Sequence, residues 1–155
     1  MTTTLWRIAA TTLAYEASDL SGAGAKTLGG RWNPIGMPMV YTTENISLAV
    51  HETIVHLRSV SLPLNRYLVR IDVPVDIWAA RQILSPPVGW DALPYGMPSV
   101  QAGEAWLKSL ASVLLVVPSV IIPEEANILI NPQHPDAARL TATALRKWLY
   151  DARFS

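Results

Sequence analysis

A strict alternation of side chains in one segment limits what this chain can fold into. Between residues 67 and 73, Tyr, Val, Ile and Val occupy every second position, and Leu68, Arg70 and Asp72 lie between them. Successive side chains of a strand point to opposite faces, so the segment predicts a strand with one face in the core. Apolar runs at 113–117 and 127–130 predict two more strands. Pro118 interrupts the first run, which we expect to resume at 120–122 with a bend or bulge beside Ser119.

Helical and irregular segments are expected around these strands. Ser99 is placed to cap a helix that continues through Leu110. Residues 74–98 are rich in proline and glycine and carry Trp78, Trp90 and Tyr95, so we expect irregular covering structure packed by aromatic rings. A helix between strands in this order indicates an α+β fold.

The composition fits one domain and argues against several classes of function. The chain has 155 residues, of which 50% are hydrophobic, which is enough for one core. Its 12 basic and 12 acidic residues cancel, so direct binding to nucleic acid is disfavoured. There is no cysteine, and the histidines at 51, 56 and 134 have no clear carboxylate partner, so no metal site is expected. His134 precedes Pro135 and is expected in a turn.

The chain shows no targeting or membrane signal. Neither end has the charged start and apolar run of a signal peptide, and no segment approaches the roughly 20 apolar residues of a membrane span. We therefore expect a soluble protein of the cytoplasm.

A glycine-rich segment, Gly29-Gly30-Arg31-Trp32-Asn33-Pro34-Ile35-Gly36, carries one cation. Glycines permit backbone angles that other residues avoid, so Arg31 can lie on a tight loop with its guanidinium directed at a ligand. The segment therefore favours a site that holds an anion. The alternative is a structural salt bridge made by Arg31. Trp32 is expected to pack rather than to take part in chemistry.

The helix expected after the strand-like residues 39–42 carries a carboxylate in an unusual place. At about 100° per residue, the helix has a broad apolar stripe and a narrow polar side. The stripe consists of Ile46, Ala49, Val50, Thr53, Ile54 and Leu57, and the polar side of Ser47, His51 and Arg58. Glu52 belongs to neither and is flanked by Leu48 and Val55 on one side and by Ala49 and His56 on the other.

A carboxylate among apolar neighbours costs free energy unless something uses it. Glu52 is therefore a candidate functional residue. The alternative is a structural ion pair between Glu52 and an arginine such as Arg31 or Arg70.

A series of short motifs runs in order along nearly the whole chain. They are Leu5-Trp6-Arg7-Ile8, Ser21-Gly22, Gly29-Gly30-Arg31-Trp32-Asn33, Tyr41-Thr42, Ala49-Val50-His51-Glu52, Val117-Pro118-Ser119, Asn127-Ile128-Leu129-Ile130-Asn131-Pro132, His134-Pro135 and Asp151-Ala152-Arg153. Together they resemble the RES domain, the toxin half of a class of bacterial toxin–antitoxin systems. An Arg, a Glu and a Ser stand at the positions that give this family its name. Residues 86–99 match no motif.

The resemblance implies a fold as well as a family. It implies one domain over residues 1–155, of α+β class, with mostly antiparallel sheets and flanking helices, similar to ADP-ribosyltransferases of the diphtheria-toxin type. It also implies a final strand that leads into Asp151-Ala152-Arg153, whereas Ala, Leu, Arg and Lys between 137 and 150 favour helix. We expect a short helical turn near Asp136 and then a strand.

The resemblance further implies a toxin that consumes NAD. Cleavage between nicotinamide and ribose builds positive charge on the sugar, for which a carboxylate is the natural stabiliser. Glu52 is assigned this role, and Arg31 is assigned to the phosphates. Tyr41 offers a ring on which nicotinamide can stack, although it can equally be a core aromatic residue. Ser119 is expected to orient either the nicotinamide amide or Glu52.

Two further polar residues, Arg7 and Asn131, are secondary candidates for NAD binding, and each can instead be structural. No Gly-x-Gly-x-x-Gly fingerprint is present, so NAD is expected as a substrate rather than as a bound cofactor. We expect no other cofactor and no metal.

The acceptor of the ADP-ribosyl group is left open by the sequence. Water makes a hydrolase, inorganic phosphate a phosphorylase and a protein side chain a transferase, and the sequence interpretation favours NAD degradation with phosphate or water. The expected partner is a small helix-turn-helix antitoxin that covers the cleft. The alternative to an enzyme is a non-enzymatic module that binds a nucleotide or the antitoxin within a repressor complex.

Overall fold

One seven-stranded mixed sheet organises the described part of the chain. The computed structural model describes residues 2–55 and 63–154. The elements, in order, are β1 (Thr2–Ala10), α1 (Ala23–Leu28), β2 (Val40–Thr43), α2 (Ile46–Ile54), β3 (Arg66–Pro74), α3 (Val75–Ala79), β4 (Gln82–Ile83), α4 (Met97–Ser109), β5 (Leu114–Pro118), β6 (Ala126–Ile130), a 3-10 helix (Pro135–Arg139), β7 (Thr141–Lys147) and a 3-10 helix (Ala152–Phe154). The α+β class predicted from the sequence is confirmed.

The strand order in the sheet is β4-β5-β6-β2-β1-β3-β7. The pairing of β4 with β5 is parallel, and the other five pairings are antiparallel. Several sheets were expected from the sequence, whereas the described residues form a single mixed one. The parallel pair arises because α4 connects β4 to β5 and returns the chain to the same end of the sheet.

The alternation in β3 is confirmed. Val69, Ile71 and Val73 are fully buried. β3 lies between β1 and β7, and the face that these three side chains share is covered by the main core. Leu68, on the opposite face, is also buried, and it packs with Ala49 of α2. Both faces of this strand therefore carry core residues.

At the centre of the sheet, β1 is paired extensively with β3 and at one position with β2. β1 pairs with β3 over nine residue couples, from Thr2 opposite Pro74 to Ala10 opposite Arg66. Between β1 and β2, in contrast, only Trp6 and Thr43 are paired. The chain from residue 7 onward therefore leaves β2, and the backbone edges of both strands separate beside Arg7.

Two sequence predictions are wrong at the ends of elements. The strand expected to resume at 120–122 does not form, because the Ser119 backbone N–H donates to Glu125 O (2.9 Å) and closes a turn that leads into β6. Ser99 does not cap α4. The helix begins at Met97 after Gly96, and Pro98 and the buried Ser99 are the second and third residues of its first turn.

The predictions for the C-terminal part are confirmed, and the prediction for residues 74–98 is confirmed in part. The turn near Asp136 and the strand after it are confirmed by the 3-10 helix and β7, and His134 Nδ1 caps that helix by accepting from the Asp136 N–H (3.0 Å). Residues 84–96 are irregular, but α3 and β4 form where irregular structure was expected. His56, Leu57 and Arg58 lie outside the described residues. No helix in the described part combines the length and apolar character needed to cross a membrane.

Candidate active site

Helix α2 presents Glu52 from its last turn. Asn45 caps the helix by accepting from the Leu48 N–H (2.7 Å), which fixes where the helix begins. Leu48 and Ala49 are its buried residues, whereas Ser47 and His51 are exposed as expected. Leu48 was wrongly left out of the core stripe. It is 1% exposed, and Glu52 beside it reaches Ser119 and Asn127, so this side of α2 faces the interior.

Glu52 is held through one carboxylate oxygen. Its Oε1 accepts from Ser119 Oγ (2.7 Å) and from Asn127 Nδ2 (2.9 Å). Neither partner is an arginine, and no lysine or arginine of the described residues forms an ion pair with Glu52. Arg70 instead pairs with Asp72 (3.3 Å). The structural ion pair considered from the sequence is therefore not observed in the described part of the chain.

The hydrogen bonds around Ser119 leave its hydroxyl one direction in which to donate. Ser119 is fully buried, and its Oγ accepts from the N–H groups of Ile121 (3.1 Å) and Ile122 (3.2 Å). With both acceptor positions occupied, the hydroxyl hydrogen points to Glu52. Of the two sequence-based roles for Ser119, the structure supports the one in which it orients Glu52.

The two adjacent glycines that open the Gly29–Gly36 loop serve different purposes. Gly29 has φ +72°, a left-handed conformation that ends α1. Gly30 has an ordinary φ, but a Cβ there would lie 2.5 Å from Tyr41 Oη and 2.8 Å from Asn33 Oδ1. The first glycine therefore permits the turn, and the second makes room for the hydrogen bonds inside it.

Those hydrogen bonds connect the loop to β2. The Tyr41 hydroxyl donates to Asn33 Oδ1 (2.6 Å) and accepts from the Trp32 N–H (3.1 Å). Asn33 Nδ2 donates to the carbonyls of Ala25 (2.9 Å) and Met37 (3.0 Å). Asn33 is almost fully buried and holds both ends of the loop. These hydrogen bonds hold the loop backbone from which the Arg31 side chain extends.

Tyr41 stays neutral over the physiological pH range. Burial raises the pKa of Tyr41, and the hydrogen bond from the Trp32 N–H opposes part of that shift. The side chain packs beside the cluster of Trp32, Met39 and Leu129. Both hydrogen bonds of its hydroxyl are therefore made inside the protein, as expected for a core aromatic residue. Only its ring remains available for contact with a ligand.

Trp32 packs as expected. It is 1% exposed and stacks on Trp90, with ring centroids 6.1 Å apart. Its carbonyl lies against Gly103 of α4, where a Cβ would overlap it. The absence of a side chain at Gly103 thus lets the loop pack directly on the helix.

Arg31 lies between the loop and the irregular segment 84–96. Its Nη1 donates to the carbonyls of Trp90 (2.7 Å) and Ala92 (2.9 Å), and its guanidinium lies 5.9 Å from the centre of the Tyr95 ring. Burial lowers the pKa of Arg31, and the negative charge of Glu52 opposes this shift. Arg31 and Glu52 therefore share one electrostatic environment without forming a salt bridge.

Arg7 and Asn131 lie outside this group. Asn131 is 1% exposed, and its side chain donates to Leu107 O (3.1 Å) and accepts from the Gln133 N–H (3.0 Å), an arrangement that favours the structural alternative. Arg7 is different. Its Nε is buried, and its guanidinium forms no hydrogen bond or ion pair with any described residue.

The electrostatic surroundings of Arg7 are separate from those of Glu52. Burial lowers the pKa of Arg7, and Tyr15 and Asp19 oppose the shift. Arg7 is thus a half-buried cation that has Tyr15 and Asp19 nearby and hydrogen-bonds with neither.

Two surface cavities lie away from Glu52. One of about 130 Å³ includes Asp76 and His134, and one of about 610 Å³ lies between β4 and α4. Within the described residues, no three His, Asp or Glu side chains gather closely enough to hold a metal ion. The candidate site is therefore identified by its hydrogen bonds and charged groups, and not by a deep cavity.

Sequence reasoning missed two asparagines. Asn127 was included only as part of a strand and a motif, and Asn33 only as part of the loop. A polar side chain at the start of an otherwise apolar run was the available signal for Asn127. The partner of that side chain, 75 positions away, was not visible in any local pattern.

Comparisons with known proteins identify the family of this chain. The family model for the RES domain matches residues 4–152. A protein of Sphingobium sp. (strain YBL2) named Prs ADP-ribosylating toxin is 55% identical over 156 residues, 99% of this chain and 97% of that protein. A protein of Photorhabdus laumondii subsp. laumondii named Toxin Res is 37% identical over 132 residues, 85% of each chain.

Among solved structures, a chain of the M. tuberculosis MbcT-MbcA toxin-antitoxin complex matches with a TM-score of 0.63. It is 21% identical, and the match covers 94% of this chain and 85% of that one. At this identity the match shows a shared fold.

Proposed function

This chain belongs to the RES domain family, and we propose that it is a toxin that cleaves NAD between nicotinamide and ribose and transfers the ADP-ribosyl group to an acceptor. The observation that supports this most is the fixed carboxylate of Glu52. Ser119 and Asn127 both donate to Oε1, and among the described residues Oε2 has no hydrogen-bond partner. One carboxylate oxygen is thereby left for a substrate.

The proposed reaction needs negative charge beside the ribose. The bond between nicotinamide and C1′ breaks, its electron pair leaves with the neutral nicotinamide, and positive charge builds on the sugar. A lone pair of the acceptor then forms the new bond to C1′, and the acceptor loses its proton. Glu52 accepts hydrogen bonds from the ribose hydroxyls and stabilises the charge through space. Fold kinship with ADP-ribosyltransferases of the diphtheria-toxin type is part of the same proposal.

Two arginines are proposed to hold the phosphates. Nη1 of Arg31 is engaged by two carbonyls, but among the described residues its other N–H groups have no partner. Among the residues that the structure describes, no group hydrogen-bonds to the Arg7 guanidinium. Trp6 pairs with Thr43, and Thr43 pairs with Asn127, so the backbone at Arg7 lies about two strand spacings, or roughly 10 Å, from that of Asn127. The Arg7 side chain leaves β1 on the face of Leu5 and Ala9, opposite to that of Trp6, so we propose that it reaches the phosphates where β1 and β2 separate.

Tyr41 is proposed to meet nicotinamide with its ring only. Its hydroxyl is committed to Asn33 and Trp32, so it takes no part in proton transfer. Anchoring of the loop is the alternative role, and both roles are lost if the ring is removed. Asn131 has no place in the proposed substrate site.

The acceptor proposed first is a protein. The sequence interpretation favoured phosphate or water, but the Sphingobium protein, 55% identical over nearly the whole chain, is named as a toxin that ADP-ribosylates Prs. Phosphorolysis or hydrolysis of NAD, which depletes the cellular pool, is the second candidate. Inorganic phosphate is then a co-substrate, and no resident cofactor is needed in either case.

The proposed partner is an antitoxin of helix-turn-helix type that covers the site in the cytoplasm. The structural match to a chain of a toxin-antitoxin complex supports an antitoxin. The alternative is a module that only binds a nucleotide or the antitoxin. Such a module does not need a carboxylate that is oriented by two hydrogen-bond donors, as Glu52 is by Ser119 and Asn127.

The acceptor can be identified with labelled NAD. Purified protein is incubated with NAD labelled in the adenosine half, with inorganic phosphate, with buffer alone and with an extract of host cells. Label that joins one protein band and is absent with Glu52→Gln supports the transferase. Label recovered as ADP-ribose or its 1-phosphate supports the second candidate. Intact NAD in all three conditions, from folded protein free of antitoxin, contradicts an enzyme.

A further inference from the structure

We propose that Asn127 is a positioning residue for Glu52, which together with Ser119 fixes the direction in which the free carboxylate oxygen points. The inference rests on the proposed function and adds a residue to it. Asn127 lies near the start of β6, opposite Thr43 of β2, and its Nδ2 donates to Glu52 Oε1 at 2.9 Å. It reaches Glu52 from a strand, whereas Ser119 reaches it from the turn after β5.

The orientation of the Asn127 amide is set by its partner. A carboxylate oxygen accepts and cannot donate, so Asn127 must present its NH₂ group to Glu52. Its Oδ1 is then buried without a hydrogen-bond partner among the described residues. A buried carbonyl oxygen without a partner is unfavourable, and native proteins seldom retain one without a reason. Donation to Glu52 supplies that reason.

Helix α2 is tied to the same turn at both ends. Asn45, at the start of the helix, donates through Nδ2 to Glu125 Oε1 (3.3 Å). Asn45 and Glu52 are seven residues apart, so they lie on one side of the helix about two turns, or roughly 10 Å, from each other. Glu125 and Ser119 belong to the turn that the Ser119 backbone closes. The contact at Asn45 restrains the start of α2 against this turn, and the contacts of Glu52 itself restrain its side chain.

Two donors on one oxygen restrain that rotation. Rotating the carboxylate away requires both hydrogen bonds to break, and rotation by half a turn only exchanges equivalent oxygens. With Asn127 removed, Ser119 alone holds Oε1, and the carboxylate can pivot about that single contact. Misplacement of a group that stabilises the transition state reduces kcat more than it changes KM.

The test compares Asn127→Ala with a control from the same part of the sheet. Thr42 is buried, donates to Ile128 O (2.7 Å) and forms no hydrogen bond with Glu52. In nicotinamide-release assays, we expect Asn127→Ala to lower kcat about 10- to 100-fold with KM within about twofold. Thr42→Val should lower thermal stability and keep kcat per folded molecule. Asn127→Asp, which brings a second carboxylate to Glu52, should lower kcat further.

Equal kcat losses in Asn127→Ala and Thr42→Val at matched folded fraction overturn the inference, as does an unchanged kcat in Asn127→Ala. A second measurement does not depend on activity. The unfolding free energies of Glu52→Ala, Asn127→Ala and the double variant give the coupling between the two side chains. Coupling within error of zero overturns the inference. Absence of nicotinamide release from wild-type protein, with inorganic phosphate and with an extract of host cells as acceptor sources, instead overturns the proposed function, and the coupling still tests the contact.

Discussion

Ser119 Oγ and Glu52 Oε1 lie 2.7 Å apart, although 67 positions separate the two residues in the chain. The contact joins the last turn of α2 to the turn that follows β5. Because two backbone N–H groups occupy the acceptor positions of Ser119, its hydroxyl can only donate, and the partner must be an acceptor such as a carboxylate. The Glu and the Ser that the sequence resemblance singled out thus form one unit.

Replacing Ser119 by alanine should separate catalysis from stability. Ser119→Ala removes a donor to Glu52 and leaves the N–H groups of Ile121 and Ile122 without a partner, so we expect a loss of about 1–3 kcal/mol in unfolding free energy. kcat for nicotinamide release should also fall. Ser112 is the matched control, a buried serine that donates to Leu114 O (2.8 Å) and accepts from Trp106 Nε1 (3.0 Å). Ser112→Ala should lose stability and keep kcat, and equal kcat losses would contradict the assignment.

Tyr41 should make folding stability depend on alkaline pH. Burial raises the pKa of Tyr41, so the folded protein keeps its phenol proton at pH values where the unfolded chain releases it. The stability contributed by Tyr41 is therefore complete below the unfolded value of about 10 and is lost as the pH rises above it. Denaturant titrations at several alkaline pH values should show a steeper loss for wild-type protein than for Tyr41→Phe. Burial also raises the pKa of Tyr150, which both proteins retain, so parallel curves would contradict the claim.

Arg31 should hold the irregular segment 84–96 in place. Arg31→Ala removes the two hydrogen bonds to the carbonyls of Trp90 and Ala92, and we expect faster amide hydrogen exchange and proteolysis within that segment. Arg81 is the control, because its Nη1 also donates to a backbone carbonyl, that of Trp78 (2.8 Å), outside the site. Arg81→Ala should leave exchange in the segment unchanged. Equal exchange in wild type and Arg31→Ala would show that the segment is held by other contacts.

Gly103 should tolerate no side chain. A Cβ there overlaps the carbonyl of Trp32, and backbone cannot move aside as a flexible side chain can. We expect Gly103→Ala to lower the unfolding free energy by about 1–3 kcal/mol and to disturb the Arg31 loop. At Gly96, the nearest atom to a Cβ is Pro98 Cδ at 3.7 Å, an ordinary contact. Gly96→Ala should cost less, and thermal melts that rank the two variants in the opposite order would contradict the packing argument.

The parts of the fold that follow from local patterns were predictable from the sequence. Alternation located β3, and apolar runs located β5 and β6. The C-terminal strand was predicted only because the family resemblance outweighed helix propensity. The start of α4 was missed because Pro98 in the first turn moved the helix boundary ahead of Ser99.

The candidate site was predictable in its residues and not in its contacts. Glu52 stood out because a carboxylate broke the apolar pattern of a helix, and Ser119 because it broke that of a strand. Asn127, in contrast, looked like the polar end of a strand, and its donation to Glu52 depends on how α2 crosses the sheet. Asn131 looked similar, yet its partners are backbone groups at the end of α4 and in the next turn. A hydrogen bond between two elements that are distant in the chain produces no periodic pattern in the sequence.

The most direct test of the account is nicotinamide release from NAD by purified protein, measured with inorganic phosphate and with an extract of host cells as acceptor sources, and compared with Glu52→Gln. Glu44, an exposed carboxylate just before α2, is the control, as Glu44→Gln. We expect release by wild type and Glu44→Gln, and a loss of about 100-fold or more in kcat for Glu52→Gln, since the amide keeps the shape and loses the charge. Release at the wild-type rate by folded Glu52→Gln would contradict the central claim that this carboxylate stabilises the transition state.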